Sequence, residues 1–171
     1  MDKRLRKNIF PVVSGWVAAI SLDLFLHAGL LAALYTNKSP FLLDADTAFR
    51  RIPLGYLSFL LLTGLLLWLM KKTGAIDRRG GAVFGLKFGF ATWGAFVIGL
   101  YSIATANAGL LLGWWAGQTI ELGLSGFVMG ACLEGVGKKK IVAGLAAFFV
   151  LMVMLTVILQ ILGVAPPMKK I

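Results

Sequence analysis

Four polar side chains lie within long apolar stretches of this 171-residue chain: Asp23, His27, Gln118 and Glu121. Groups of this kind are costly in an apolar setting and usually turn toward one another. Asp23 and His27 are spaced i,i+4, so on a helix they share one face, about 6 Å apart along the axis. Gln118 and Glu121 are spaced i,i+3 and share a face in the same way. If the two segments are antiparallel and touch, two rungs are expected: Asp23 with Glu121, and His27 with Gln118. Two carboxylates in a dry interior cannot both stay ionised cheaply, so a shared proton is expected. A neighbouring imidazole can accept or relay it. The chemistry open to such a group is proton relay, a cation site or a pocket for a polar ligand. A static hydrogen-bonded network that locks two helices together stands equally beside these.

Other chemistry finds less in the sequence. Asp23, His27 and Glu121 offer three metal ligands, yet this is the only His and no partner that would orient it is legible. No metal and no cofactor is therefore assigned. No catalytic residue is assigned either: GxSxG, a Cys–His pair, a phosphate loop and a dinucleotide fingerprint are all absent. Lys87 lies about 9 Å inside the apolar stretch that opens at Gly81. Its stem can snorkel to the headgroups, or its charge can serve as counter-ion to Asp23 and Glu121.

Composition dictates the elements that must hold these residues. The chain is 59% hydrophobic and 14% charged, against roughly 25% charged in a soluble domain. A soluble fold of this size could not clothe its surface with so few polar groups. Disorder is excluded by the same apolar excess. Five stretches are long enough to cross a hydrocarbon core as helices: Ile9–Tyr35, Pro53–Met70, Gly81–Ala104, Leu110–Leu133 and Ile141–Leu162. They are continuously apolar, which favours helices over a barrel. The expectation is one all-α membrane domain over residues 1–171, a bundle of five transmembrane helices. Asp23 and Glu121 are expected near its midplane. No broken helix or inverted repeat is visible. Pro53 is expected to open the second span, and Pro166-Pro167 to stop the fifth. The basic N-terminus followed by an apolar run superficially resembles a signal peptide. That run is too long and too polar for one, and is read as the first span.

The net charge of +10 follows from 17 Lys+Arg and 7 Asp+Glu. The cations cluster at segment ends, so they report topology and contact with anionic lipid; no nucleic-acid partner is expected. Lys3, Arg4, Arg6, Lys7, Lys71, Lys72, Arg78, Arg79, Lys138, Lys139 and Lys140 fall on one side. Lys38, Arg50, Arg51, Lys169 and Lys170 fall on the other. The richer side is cytoplasmic, which places the N-terminus inside and the C-terminus outside. Cys132 is the single cysteine, so no intrachain disulfide forms. In the outer loop, residues 36–52, Asp44 or Asp46 can cap a short surface helix ending at Arg50-Arg51; an irregular loop is the alternative.

Small residues recur at packing intervals: Gly81, Gly85 and Gly89 in span three; Gly113, Gly117, Gly126 and Gly130 in span four. In lipid such faces bring backbones together. Packing within one chain is the simple expectation, and a homo-oligomer or a membrane-protein partner is the other. Trp68, Trp114 and Trp115 sit near span ends, as interfacial aromatics do, whereas Trp93 is expected inside the bundle.

The sequence Asp23-Leu-Phe-Leu-His27, followed by the glycine-rich Gly80-Gly-Ala-Val-Phe-Gly85-Leu-Lys-Phe-Gly89, resembles a family of small uncharacterised bacterial polytopic membrane proteins. The resemblance runs from about Ser21 to Glu134, with the fifth span as an addition. It implies a bacterial cytoplasmic (inner) membrane and draws attention to Asp23 and His27; it implies no activity. Three functional readings follow: a small transporter or permeation protein with a midplane proton or solute site, an accessory subunit docking through glycine faces, and, least supported, a membrane-embedded enzyme.

Overall fold

A computed structural model describes residues 3–35 and 40–166; the side chains of residues 3–7 and 45 lie outside that description. Lys38, Lys169, Lys170 and Pro167, used above for topology and for the end of span five, also lie outside it. Five α-helices make up the described chain: α1 (Lys3–Phe25), α2 (Ala45–Thr73), α3 (Arg78–Ile103), α4 (Ala108–Leu133) and α5 (Lys138–Ile161). No strand occurs among the described residues. Helices α2, α3 and α5, together with Asn8–Leu30 of the first segment, are long and apolar enough to cross a membrane.

Helix α4 is not among these, although it is apolar on average and carries Gln118 and Glu121 at its centre. Its position explains why those two are tolerated. It contacts all four other helices, most extensively α3 and α1. The face it turns to them can carry polar groups, while Leu112, Ile120 and Phe127 stay exposed. Leu110, Leu111, Leu122 and Met129 of α4 are buried, and Leu122 and Met129 join Leu66, Leu67 and Met70 of α2 in the main apolar core.

The α3–α4 contact is made by glycine. A Cβ on Gly81 would overlap the Gly126 carbonyl, one on Gly85 the Leu122 carbonyl, and one on Gly130 the Asp77 carbonyl. These are backbone atoms, which cannot rotate aside. The order of the pairs shows the helices antiparallel and touching from end to end. Gly89 continues the face against Thr119. Gly113 and Gly117 serve a different neighbour, meeting Leu31 and Leu26 at the end of the first segment. All seven glycines expected to mediate packing therefore act within the chain. Local caps fix the helix ends: Asp77 accepts from Gly80 N at 2.8 Å to start α3, and Asn107 accepts from Gly109 N at 2.8 Å to start α4. Glu134 ties the end of α4 to the start of α3, accepting from Arg78 Nε at 2.6 Å and Arg78 N at 2.9 Å.

Two segments depart from the sequence expectation. The first is the start of α2. Asp44 does cap a helix, accepting from Thr47 N at 2.9 Å, but that helix does not stop at Arg51. It runs on through Pro53 as a single 29-residue helix, about 44 Å long at 1.5 Å per residue. Pro53 thus lies inside α2 and does not open it. Pro53 is the ninth residue of α2, past the first turn, so it removes one intrahelical hydrogen bond, the one to Phe49 O, from a helix that continues beyond it. Hydrogen bonds from the Thr47 hydroxyl and amide hold the Asp44 carboxyl below its usual range. The second departure is a break in the first segment. After Phe25 the α-helix widens into a π turn, Leu26–Leu30, closed by Leu31 N donating to Leu26 O at 2.7 Å. A 3-10 turn follows, Ala32–Tyr35. The first segment thus continues helically but changes its hydrogen-bond register after Phe25, which apolar periodicity did not indicate.

These contacts set two expectations. Gly85→Ala is expected to lower stability in detergent by about 1–3 kcal/mol, the usual cost of overpacking, because its new methyl meets backbone. Gly64→Ala, with nothing within 4 Å of the added Cβ, is expected to be neutral or slightly stabilising. Thermal unfolding of both purified variants checks this. Asp44→Ala is expected to fray the first turn of α2 while Asp44→Asn preserves it, read by amide exchange. Because the folded carboxyl is held low, the charged cap is present above the ordinary carboxylate range. It is lost as pH falls through the lowered value.

Candidate functional site

The break in the first segment builds the site. Asp23 sits in the last turn of α1, and His27 in the π turn just beyond. From Asp23 to Leu30, the end of the long apolar helix, is about 10 Å. Glu121 lies near the centre of α4. The α1–α4 contact brings them together: His27, Asp23 and Glu121 each offer one ligand-type atom, and these atoms lie within 4.8 Å of one another. The expected rung between Asp23 and Glu121 is therefore present as proximity.

The other rung is replaced by pairings within each helix. Gln118 Nε2 donates to Glu121 Oε2 at 2.8 Å. His27 Nε2 faces Asp23 Oδ1 at 3.3 Å. The opposite imidazole nitrogen, Nδ1, is 2.5 Å from the Tyr35 hydroxyl, which also accepts from Trp114 Nε1 at 2.5 Å. An indole N–H can only donate, so the Tyr35 oxygen is the acceptor there. The phenolic oxygen keeps a second lone pair and its own proton, so it donates to Nδ1 or accepts from it according to the histidine tautomer. When it donates, the neutral imidazole carries its proton on Nε2, facing Asp23, and donors run from Trp114 through Tyr35 and His27 to Asp23.

Tyr35 and Trp114 were missed in the sequence. The i,i+8 spacing of His27 and Tyr35 would set them about 12 Å apart along a regular α-helix, out of hydrogen-bond reach, whereas the π and 3-10 turns bring the hydroxyl to the ring. Gln160 was missed too: its Nε2 donates to Ala28 O in the π turn at 3.3 Å, supplying a partner where the helix ladder is disturbed. Lys87 lies on an exposed part of α3 and makes no ion pair with Asp23 or Glu121, as its snorkelling alternative implies. Trp93 is partly buried against the main core, as expected.

Burial grades across the site. Glu121 is 0% exposed and Gln118 3%, while the Asp23 and His27 side chains are 15% and 29% exposed. A cleft of about 330 Å³ between α1 and α2 reaches Asp23 and His27, walled by Ile52, Gly55, Tyr56 and Phe59. Beneath it, Trp16 Nε1 donates to Tyr56 O at 2.7 Å and holds the two helices together. The site thus has an open end at Asp23 and His27 and a closed end at Glu121. At the closed end, Glu121 Oε1 and Gln118 Oε1 have no hydrogen-bond partner among the described residues. An oxygen left without a partner in such an interior carries a desolvation cost. The arrangement is rich in lone pairs, and no Lys or Arg among the described residues pairs with either carboxylate. Comparison with protein families, with curated proteins and with solved structures finds no match.

Tyr35→Phe is expected to destabilise the protein by about 1–3 kcal/mol, because Trp114 Nε1 and His27 Nδ1 each lose a buried partner. A double-mutant cycle with Trp114→Phe is expected to show a coupling of about 0.5–3 kcal/mol, measured by thermal unfolding in detergent. Additive effects would show that the three side chains do not act as one network.

Proposed function

We propose that the chain is a five-span membrane protein, N-terminus cytoplasmic and C-terminus outside, that moves protons, coupled to a small solute or ion, through the Asp23–His27–Glu121 centre. The observation that carries this reading is the centre itself. Two carboxylates and the one histidine converge inside the bundle, one end is wholly buried, and a cleft reaches the other. Intramembrane ionisable groups that face one another and a cavity are the usual apparatus of proton and ion pathways. The π turn in the first segment supports the same reading, since π turns within helices frequently occur at functional sites.

Five spans are supported by the end-to-end antiparallel contact of α3 and α4: if α3 crosses, its partner of equal length crosses with it. The orientation rests on the bias of Lys and Arg. The cytoplasmic membrane of a bacterium is the location that the family resemblance suggests. The accessory-subunit reading draws no support from the seven glycines, whose neighbours are within the chain.

Two measurements test this. In a Cys132→Ala background, Leu43→Cys is expected to react with a membrane-impermeant maleimide on intact cells, and Lys139→Cys only after permeabilisation. The reverse pattern would overturn the orientation. In proteoliposomes holding a pH dye, an imposed potassium diffusion potential is expected to drive proton entry. Asp23→Asn and Glu121→Gln are expected to lose at least about tenfold of that rate, as when a proton-carrying group is removed. Gly55→Trp, which fills the cleft, is expected to slow it as well. Wild-type flux no greater than that of empty liposomes would overturn the proposal.

A further inference from the structure

We infer that the centre formed by Asp23, His27 and Glu121 is a binding site for a divalent first-row transition-metal ion, with Gln118 Oε1 as a fourth donor. The inference deepens the transport reading above and rests on it for the ion's role, which is cargo exchanged for protons.

The argument begins with the unmet acceptors. Glu121 and Gln118 are both more than nine-tenths buried, and each keeps an oxygen without a partner. No Lys or Arg pairs with either carboxylate among the described residues. A single proton on Glu121 serves one lone pair. A cation held between Asp23, His27 and Glu121 serves several at once and supplies the missing charge.

Geometry agrees. Tetrahedral sites with bonds of about 2.0–2.2 Å place ligand atoms about 3.4 Å apart. His27 Nε2 and Asp23 Oδ1 are already 3.3 Å apart. The remaining separations, at most 4.8 Å, close by rotation of the Glu121 carboxylate and small side-chain shifts. The outer partners also fit. A metal-bound histidine characteristically donates its other N–H to a fixed acceptor. The Tyr35 hydroxyl, held by Trp114, is positioned 2.5 Å from Nδ1 for that purpose. The hydroxyl can reverse its role, donating to Nδ1 when Nε2 carries a proton and accepting from it when Nε2 carries a metal.

The donor set selects the class of ion. One imidazole nitrogen with carboxylate and amide oxygens suits Zn2+, Mn2+, Fe2+ or Co2+. Ca2+ takes about six to eight oxygens, more than the cluster offers. The only thiol, Cys132, is not part of it, which disfavours soft Cu(I). Binding displaces the proton on His27 Nε2 and any proton held by the carboxylates, and these leave through the cleft between α1 and α2.

The test uses the full-length protein purified in detergent. It is loaded with Zn2+, desalted against a weak competing chelator and assayed by elemental analysis. One Zn2+ per chain is expected, and Co2+ loading is expected to give the visible absorption of a low-coordinate site. Glu121→Gln and His27→Ala are expected to fall to background. Tyr35→Phe is expected to retain the site with affinity about tenfold to a hundredfold lower. Thermal unfolding confirms that each variant is folded. Absence of stoichiometric metal and of the Co2+ band in wild type overturns the inference. So does binding that is unchanged in Glu121→Gln and His27→Ala, which marks surface attachment. The proteoliposome assay separates the two proposals: proton flux without metal binding leaves transport standing and removes the metal, and metal binding without flux does the reverse.

Discussion

The fold depends on the approach of two backbones, α3 and α4, along a seam where glycine faces main chain. In lipid there is no hydrophobic force to press helices together, so attraction comes from close packing and from polar groups that must avoid hydrocarbon. Gly81, Gly85, Gly126 and Gly130 allow main chain to lie against main chain, where any Cβ would collide with a carbonyl. Because α3 sits so close on one side, α1 can take the opposite side, with Ser125 Oγ donating to Gly15 O at 2.9 Å. The face of α4 that carries Glu121 and Gln118 is thereby covered, while Leu112, Ile120 and Phe127 stay exposed. That cover is what allows a glutamic acid and a glutamine at its centre.

A second constraint acts at the end of the first segment. A continuous α-helix through Leu31 would carry Tyr35 onward along its axis, away from His27. The π turn shifts the register, and the 3-10 turn brings the hydroxyl back against the imidazole. The disturbance has to be stabilised locally, and two other helices contribute. Gln160 of α5 donates to Ala28 O, and Trp114 of α4 donates to the Tyr35 hydroxyl. Gly29 allows α5 to lie close at the same point, next to Thr156. The irregular backbone is thus held from two sides, as irregular backbone within a bilayer must be.

Much of this was legible in the sequence, and the rest was hidden for physical reasons. Apolar runs and clustered cations mark helices and their ends because burial in hydrocarbon tolerates little else. The i,i+4 and i,i+3 spacings place Asp23 beside His27 and Gln118 beside Glu121, since helical geometry alone decides that. The facing of Asp23 and Glu121 was open to inference because two buried acids have few other places to go. The break at Leu26 was not legible. No proline lies there, and a π turn leaves no pattern in apolar residues. Tyr35 and Trp114 were hidden with it, their contact depending on that break. The start of α2 was obscured by Pro53, which reads as a boundary but is carried inside the helix at the cost of one backbone hydrogen bond.

The polarity of the hydrogen-bond chain carries the argument furthest. Trp114 can only donate, so the Tyr35 oxygen accepts there and turns its proton and remaining lone pair toward His27. When the phenolic proton lies on the Nδ1 side, the neutral imidazole presents its N–H to Asp23. On the far side Gln118 donates to Glu121 and leaves two oxygens unmet. Donors thus converge from one side upon a group of acceptors that outnumbers them. A network serving only to lock helices would be expected to close its own balance, since each unmet lone pair weakens the lock. This one closes on the side of Tyr35 and Trp114, where the ring is held, and stays open toward Glu121, where a positive charge would fit. The fixed part orients the histidine; the open part is what a proton or a cation would complete.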